Sequence, residues 1–359
     1  MKSDYSKLRP TIKDVAKLAG VSLKTVSNVI NNNSSRFSDE TREKVLAALE
    51  TLNYRPNQAA RYMRSGRIGI LALAIPDIGN PYFAAVAGHI IAAAKIQGYT
   101  VLIDHTEGQA EQELLMINSL TSQTVDGLIL NPMILGEEAI LPEREDFPIV
   151  LLGERAMGAR YDHIVIDNVA AARLATQHLI DLGRRHIAVI GVPDDARDVM
   201  PRLRYQGYLE ALEAANIALD EELIANMPPA SFTYRDGALC MRQLLDTGRP
   251  LDAVFCLNDR VALGAMRVLK ENGVRIPDDV AVIGFDNIEE GYFAMPSLTT
   301  IAPDKKNLGE MAVSLLLDRI HRTKPSPQLL YQPPFKLVIR ESTAGINVTV
   351  CVKDIETTS

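Results

Sequence analysis

The stretch Gly20–Asn32, GVSLKTVSNVINN, decides how the rest of the chain is read. Small and amide residues recur in it at helical spacing, while Val21, Val26 and Val29/Ile30 fall on one stripe. Ser22 suits the N-cap of a helix LKTVSNVIN, and Gly20 permits a left-handed stop for whatever precedes it. Upstream, Thr11 can cap IKDVAKLA, whose Ile12, Val15, Ala16 and Ala19 share a face. Two short helices joined by a Gly turn form a helix-turn-helix. A third helix is expected from Ser38 through DETREKVLAALETL, with Val45, Leu46, Leu49 and Leu52 as its apolar stripe. The second helix turns Leu23, Lys24, Thr25, Ser27 and Asn28 outward. That is a face for hydrogen bonds to base edges and phosphates, whereas a protein-docking module would expose larger apolar side chains.

Charge points the same way. The 359 residues carry a formal net charge of −7, yet residues 1–67 hold thirteen Lys/Arg against six Asp/Glu, leaving twenty-five against thirty-nine in 68–359. A basic head on an acidic body meets a polyanion while the body stays soluble. Other classes lack their residues. No run of eighteen apolar residues and no apolar h-region in MKSDYSKLRPTIKD supports a membrane span or a secretory signal, so a cytoplasmic, nucleoid-associated location is expected. Cys240, Cys256 and Cys351 are odd in number and far apart, which argues against a disulfide framework. Six histidines without HExxH spacing, and the lack of GxSxG or GxxxxGK[ST], leave no catalytic constellation, metal site or cofactor to expect.

The expected organisation is a head at 1–55, a hinge or linker at 56–66, a two-lobed body at 67–345 and a tail at 346–359. Between Pro56 and Gly66, Asn57, Ala59, Ala60 and Met63 outline a helix too short to be stable alone, so it would order on contact. From Arg67 the pattern becomes α/β: eight apolar runs, RIGILALAIP through VAVIGFDN, alternate with amphipathic segments such as PYFAAVAGHIIAAAKIQG and RVALGAMRVLKENG. Continuous Val/Ile/Leu runs of this length imply buried parallel strands with crossover helices, and about 280 residues imply two doubly wound lobes. In such sheets ligands lie beyond the carboxyl ends of strands.

The head VAKLAGVSLKTVSNVINN, the linker NYRPNQAAR, and the body signatures GNPYF, CLNDRVALGAMRVLKENG, VAVIGFDN, LTTI and VIREST resemble the lactose-repressor/galactose-repressor (LacI/GalR) family of bacterial regulators over roughly 11–343. The resemblance implies a helix-turn-helix head and a hinge helix on a periplasmic-binding-protein-like body, acting as a homodimer on pseudo-palindromic double-stranded operator DNA. It places Leu23, Lys24 and Asn28 in the major groove, with Lys24 donating to guanine O6/N7 and Asn28 pairing with adenine. It makes Thr11, Ser22, Thr25, Ser27, Asn31 and Arg36 phosphate contacts. Asn57, Ala60 and Met63 would form the hinge helix, with Met63 as the minor-groove lever where the family usually has leucine.

In the body the resemblance puts Asp77, Tyr82, Phe83, Glu154, Asp167, Arg204, Phe232, Asn258 and Asp286 around an effector. Carboxylate, guanidinium and amide together suit the vicinal hydroxyls of a sugar better than a nucleobase. Asp259 reads as a helix N-cap instead. Dimer contacts are expected from PYFAAVAGHIIAAAKIQG and from the segment around EMAVSLLLDRI. The expected function is a repressor relieved by a sugar. The alternatives are an activator or a corepressor-dependent regulator of the same architecture and, further off, a sugar-binding receptor or an enzyme using Asp167 and Asp286.

Overall fold

The computed structural model describes residues 10–30, 36–54, 67–120, 124–141, 147–155, 158, 160–193, 198–228, 232–322 and 327–345, with the side chains of 119 and 120 excepted. The chain divides into two compact units, one ending at Ile68 and the other beginning at Gly69. Asn57, Ala60 and Met63, expected in the hinge, Asn31, expected at a phosphate, and the tail 346–359 lie outside the described residues.

The first unit holds α1 (Ile12–Ala19), α2 (Leu23–Ile30) and α3 (Asp39–Thr51). Thr11 begins α1 by donating its backbone N–H (2.8 Å) and its hydroxyl (2.7 Å) to the Asp14 carboxylate. Gly20 ends α1 in the left-handed region, where a side chain would be strained, and Ser22 accepts from Thr25 N to start α2. Val15, Ala16, Val26, Val29, Val45 and Ala48 form the core. One expectation fails: Leu46 is 48% exposed, and Ala48 takes the inward place. From Val45 the helical repeat runs to 48, 49 and 52, which leaves 46 on the shoulder of the helix.

The second unit is two six-stranded sheets. The first, in the order β11 (Leu330–Tyr331), β5 (Asp162–Ile164), β4 (Ile149–Leu152), β3 (Gly127–Leu130), β1 (Ile70–Ile75) and β2 (Thr100–His105), is parallel throughout. The second runs β12 (Phe335–Val338), β10 (Thr299–Pro303), β9 (Ala281–Phe285), β8 (Ala253–Cys256), β6 (Ile187–Pro193) and β7 (Ile224–Met227), with β12 alone antiparallel. All eight runs read as strands are strands. The short β7, β10, β11 and β12 and the helix α5 (Ala110–Leu120) have no comparable apolar run to announce them.

The helices that matter for the site are α4 (Pro81–Ile96), α6 (Asn168–Asp181), α7 (Val199–Ala214), α8 (Tyr234–Asp246), α9 (Asp259–Glu271) and, after the short α10 (Glu289–Phe293), α11 (Lys305–His321). In the second lobe a methyl group at Gly264 would meet the Tyr234 carbonyl, and one at Gly237 the Val261 carbonyl, so this glycine pair sets how closely α8 and α9 cross. The chain passes between the sheets three times, from β5 to α6, from β10 to α11 and from β11 to β12. Arg319 on α11 grips Asp162 on β5 with two 2.6 Å hydrogen bonds and so seats α11 on the first sheet. The apolar side of α11 packs within the chain, with Leu308, Ala312, Val313 and Leu315 to Leu317 buried, while Lys306, Glu310, Ser314 and Asp318 are exposed. The segment around EMAVSLLLDRI is therefore already covered and presents no apolar dimer face.

Candidate DNA-reading face and effector cleft

On α2 the buried Val26 and Val29 leave the opposite side to Leu23, Lys24, Ser27 and Asn28, spaced i, i+1, i+4 and i+5. Leu23 is 43% exposed and Lys24 is exposed, while Thr25, Ser27 and Asn28 are partly so. The Ser22 and Thr25 hydroxyls sit 2.9 Å apart, which fixes both at the start of the helix. Thr11 and Arg36 are exposed as well. All of the described residues assigned to DNA are thus on the surface of the head, and the α2 set shares one helix face.

In the body a cavity of about 360 Å³ opens beyond the carboxyl ends of the strands of both sheets. The β1–α4 turn supplies Asp77, Tyr82 and Phe83, with Asn80 capping α4 by accepting from Tyr82 N at 3.0 Å. The two aromatic rings meet edge to face, 5.3 Å apart. Glu154 follows β4 and is anchored by Ile166 N (3.1 Å) and Asn168 Nδ2 (2.7 Å). Burial pushes its carboxyl above the usual range, against the pull of Arg204. Burial likewise raises the Tyr82 phenol well above its ordinary value, helped by the negative charge of Asp286.

The second lobe's wall is bonded more tightly. Arg204 on α7 donates Nε to Asn168 Oδ1 at 2.7 Å and Nη1 to the Leu257 carbonyl. Its Nη2 lies 3.8 Å from Asp286 Oδ1, and its guanidinium stacks 3.4 Å above the Phe285 ring centroid. Asn258 caps α9 by accepting from Val261 N (2.8 Å) and donates to the Phe232 carbonyl (3.3 Å). Asp286 and Phe232 both hold positive φ, 114° and 67°, conformations that side-chain-bearing residues rarely adopt and that the surrounding bonds enforce. Burial pushes the Asp286 carboxyl up to about 6, with Arg204, Lys305 and Arg260 working against it. Between the lobes, Arg260 on α9 pairs with Asp77 at 3.0 Å.

Eight of the nine effector residues assigned from the sequence line this cavity. The exception is Asp167, whose side chain accepts from Ala170 N at 3.0 Å and caps α6. A carboxylate at the start of a helix is stabilised by the free N–H groups there, which explains its position without a ligand. Asp259 is a second correction. Its neighbour Asn258 is the N-cap, while the buried Asp259 accepts from Thr300 Oγ1 (2.7 Å) and Ile288 N (2.9 Å), tying α9 to β10 and to the turn after β9. Burial and the Asp286 charge push it up to about 7. Sequence reasoning missed Asn131, Asn168 and Arg260, which also line the cavity. Asn131 directly follows β3, so the strand-end rule applied evenly finds it, whereas Asn168 is the first residue of α6, four residues beyond the end of β5. Among the described residues no cluster suits a metal ion, and no helix is long and apolar enough to cross a membrane.

The cavity's ionisable lining carries more carboxylates than guanidiniums. Asp77, Glu107, Glu154, Asp198 and Asp286 face Arg155, Arg204 and Arg260. Such a wall offers directed donors and acceptors without a surplus of positive charge, which fits a neutral polyhydroxyl ligand and disfavours a phosphorylated one.

Comparison with known proteins agrees with this geometry. Residues 11–57 match the bacterial regulatory proteins of the lacI family, and 176–343 match the periplasmic binding protein-like domain. The ribose operon repressor of Halalkalibacterium halodurans is 37% identical over 337 residues, covering 93% of this chain and 97% of its own. A solved complex of the transcriptional regulator CelR with cellobiose is 33% identical with a TM-score of 0.67, covering 93% of this chain and all of that one. The lac repressor dimer bound to operator and the anti-inducer ONPF is 29% identical with a TM-score of 0.77, covering 93% and 99%.

Proposed function

This chain belongs to the lacI family of bacterial regulatory proteins, and on that premise we propose that it is a transcriptional repressor, binding a pseudo-palindromic operator as a homodimer and releasing it when a neutral sugar enters the body's cleft. The wall built on Arg204, Asn258 and Asp286, in a lining without surplus positive charge, supports the choice of effector. A guanidinium, an amide and a carboxylate give adjacent donors and acceptors for vicinal hydroxyls, and Tyr82, Phe83 and Phe232 offer flat apolar surface for a sugar face. The volume sits at the small end of the ~300–1,000 Å³ typical of small-molecule sites, so a ligand of one or two rings fits.

On the head, Leu23, Lys24 and Asn28 read base edges, while Thr11, Ser22, Thr25, Ser27, Asn31 and Arg36 hold phosphates. Asn57, Ala60 and Met63 meet the minor groove at the operator centre, with Met63 as the lever. Dimerisation uses the edge of the first lobe, where β2 exposes Leu102 and Ile103 and α4 exposes Ile91 and Ile96. A sugar that contacts both lobes changes their relation, and the segment leaving the body before Gly69 transmits it to the paired hinges. The coupling is reciprocal and typically about 1–3 kcal/mol.

The test is fluorescence anisotropy with duplexes carrying palindromes near the protein's own gene, across a salt series and a panel of sugars and sugar phosphates. The expected result is tight binding to one duplex, loss of about 10³–10⁵ in affinity between 50 and 200 mM salt, and release by one neutral sugar. Tightening by a sugar would make it a corepressor-dependent regulator. Binding of every duplex at nonspecific affinity, with or without sugar, would remove the operator-reading assignment.

A further inference from the structure

A second cavity, of about 250 Å³, lies apart from the cleft, where two of the three inter-lobe crossings run together. Pro303 to Lys306 belong to the β10–α11 crossing, and Pro334 to Lys336 to the β11–β12 crossing. His89 of α4 closes it from the first lobe, and Asn287 and Arg340 from the second. Its charge is unlike that of the cleft. Lys305, Lys306, Lys336 and Arg340 converge on it with His89, and Asp304 is the one acidic group in its lining. The Asp304 carboxylate caps α11 by accepting from Asn307 N at 2.9 Å. The first turn of α11 adds the positive end of its dipole. This concentration of cations stands in a body where Asp and Glu outnumber Lys and Arg.

The cations here are placed by other bonds. The buried Lys305 ammonium donates to the Asp286 carbonyl (2.7 Å) and the Asn287 carbonyl (2.9 Å), two of its three donors. Arg340 donates to Asn287 Oδ1 (2.7 Å) and the Leu298 carbonyl (2.8 Å). The His89 imidazole is held below its ordinary value by burial first and then by Lys305 and Lys306, with Asp304 and Glu310 opposing, so it meets the cavity as a neutral ring in a positive field.

We propose that this hinge cavity is a second binding site, taking a small phosphate-bearing anion. Its size suits a single phosphate group with a short organic substituent, and its lysines supply the charge that the effector cleft lacks. Its position makes it regulatory. Lys305 holds the back of the Asp286–Asn287 turn, whose front presents the Asp286 carboxylate to the cleft. An anion that draws on the Lys305 ammonium alters that turn while bridging two inter-lobe crossings, so occupancy here changes effector affinity.

The test is calorimetric titration of the full-length protein with inorganic phosphate at ionic strength matched by sodium chloride, repeated with a hexose phosphate and a nucleoside monophosphate. Saturable binding is expected, weakened at least tenfold in the double variant Lys306→Gln, Lys336→Gln, whose replaced side chains are exposed and whose melting temperature should match the parent's. Should the double variant not fold, Lys336→Gln alone is read for the same direction of change. Tighter binding of an ester than of inorganic phosphate identifies an organic phosphate as the ligand, and equal binding identifies phosphate itself. Heat that chloride reproduces, or binding unchanged in the variants because the anion sits on the basic head, overturns the proposal.

Discussion

In the first lobe the edge strand β2 leaves Leu102 and Ile103 46% and 38% exposed, whereas in the second lobe the edge strand β7 buries Ala225 and Met227 and turns only Asn226 fully to solvent. The same six-stranded plan ends in an open apolar edge in one lobe and a covered one in the other. Their walls of the cleft differ in the opposite sense. The second lobe's Arg204, Asn258 and Asp286 are buried and held by protein bonds before any ligand arrives, while the first lobe contributes one anchored carboxylate, Glu154, beside two half-buried aromatic rings and the half-exposed Asp77. One lobe is finished inwardly, and the other leaves an apolar edge open outwardly.

The strongest way to break this contrast is to remove a buried partner. Arg204→Ala leaves Asp286 and Asn168 facing an empty place, a change that costs about 3–5 kcal/mol when a buried charge loses its partner. It should lower the melting temperature and abolish the sugar response. Phe83→Ala, on the looser wall, should weaken the sugar roughly tenfold, as loss of about 1–2 kcal/mol of apolar contact implies, with little change in melting. Equal melting losses in the two variants would refute the difference between the walls.

At the edges, Leu102→Asp should weaken self-association about a hundredfold in sedimentation, the effect of losing roughly 2–3 kcal/mol at an interface centre. Asn226→Asp on β7 should leave it unchanged. An unaltered dimer in the first variant would place the interface elsewhere.

Titration sharpens the second lobe's side. Because Asp286 is pushed up to about 6 from 3.8, the folded lobe binds that proton more tightly than the unfolded chain does. Its stability contribution is therefore full below 3.8 and lost as pH rises through 6. Sugar binding moves the other way. In the proposed complex the charged carboxylate accepts from the sugar, so affinity should be flat above about pH 7 and fall about tenfold per unit below 6. Asp286→Asn should remove that slope, and a slope that persists would assign it to another group. The smallest effect is expected for Asp77→Asn. The Asp77–Arg260 pair is partly exposed, and such pairs contribute about 0–1 kcal/mol, so sugar affinity should shift less than about fivefold.

Residues whose role is local were the ones legible in the sequence. Thr11, Gly20, Ser22 and Ser38 mark helix ends by chemistry that reaches three or four residues, and the eight long apolar runs announce buried strands. Asp167 is the exception: its cap reaches only three residues, to Ala170 N, yet its position after a strand looked the same as that of Glu154. The shift of the cap from Asp259 to Asn258, and the burial of Asp259 against Thr300, depend on a contact forty-one residues away. The covered face of α11 is of the same kind. An apolar stripe says that something will pack there and not whether the partner is the same chain.

The three crossings between the lobes also bear on how the protein is made. Neither lobe is a continuous stretch of sequence: the first needs α11 and β11, from Lys305 to Tyr331, to cover and complete a sheet begun at Ile70. A ribosome adding about 5–20 residues per second finishes the head well before that segment emerges. The nascent chain therefore has its head complete while the first lobe has yet to close, and a message cut short before Lys305 encodes a head on a body whose first sheet is left unfinished.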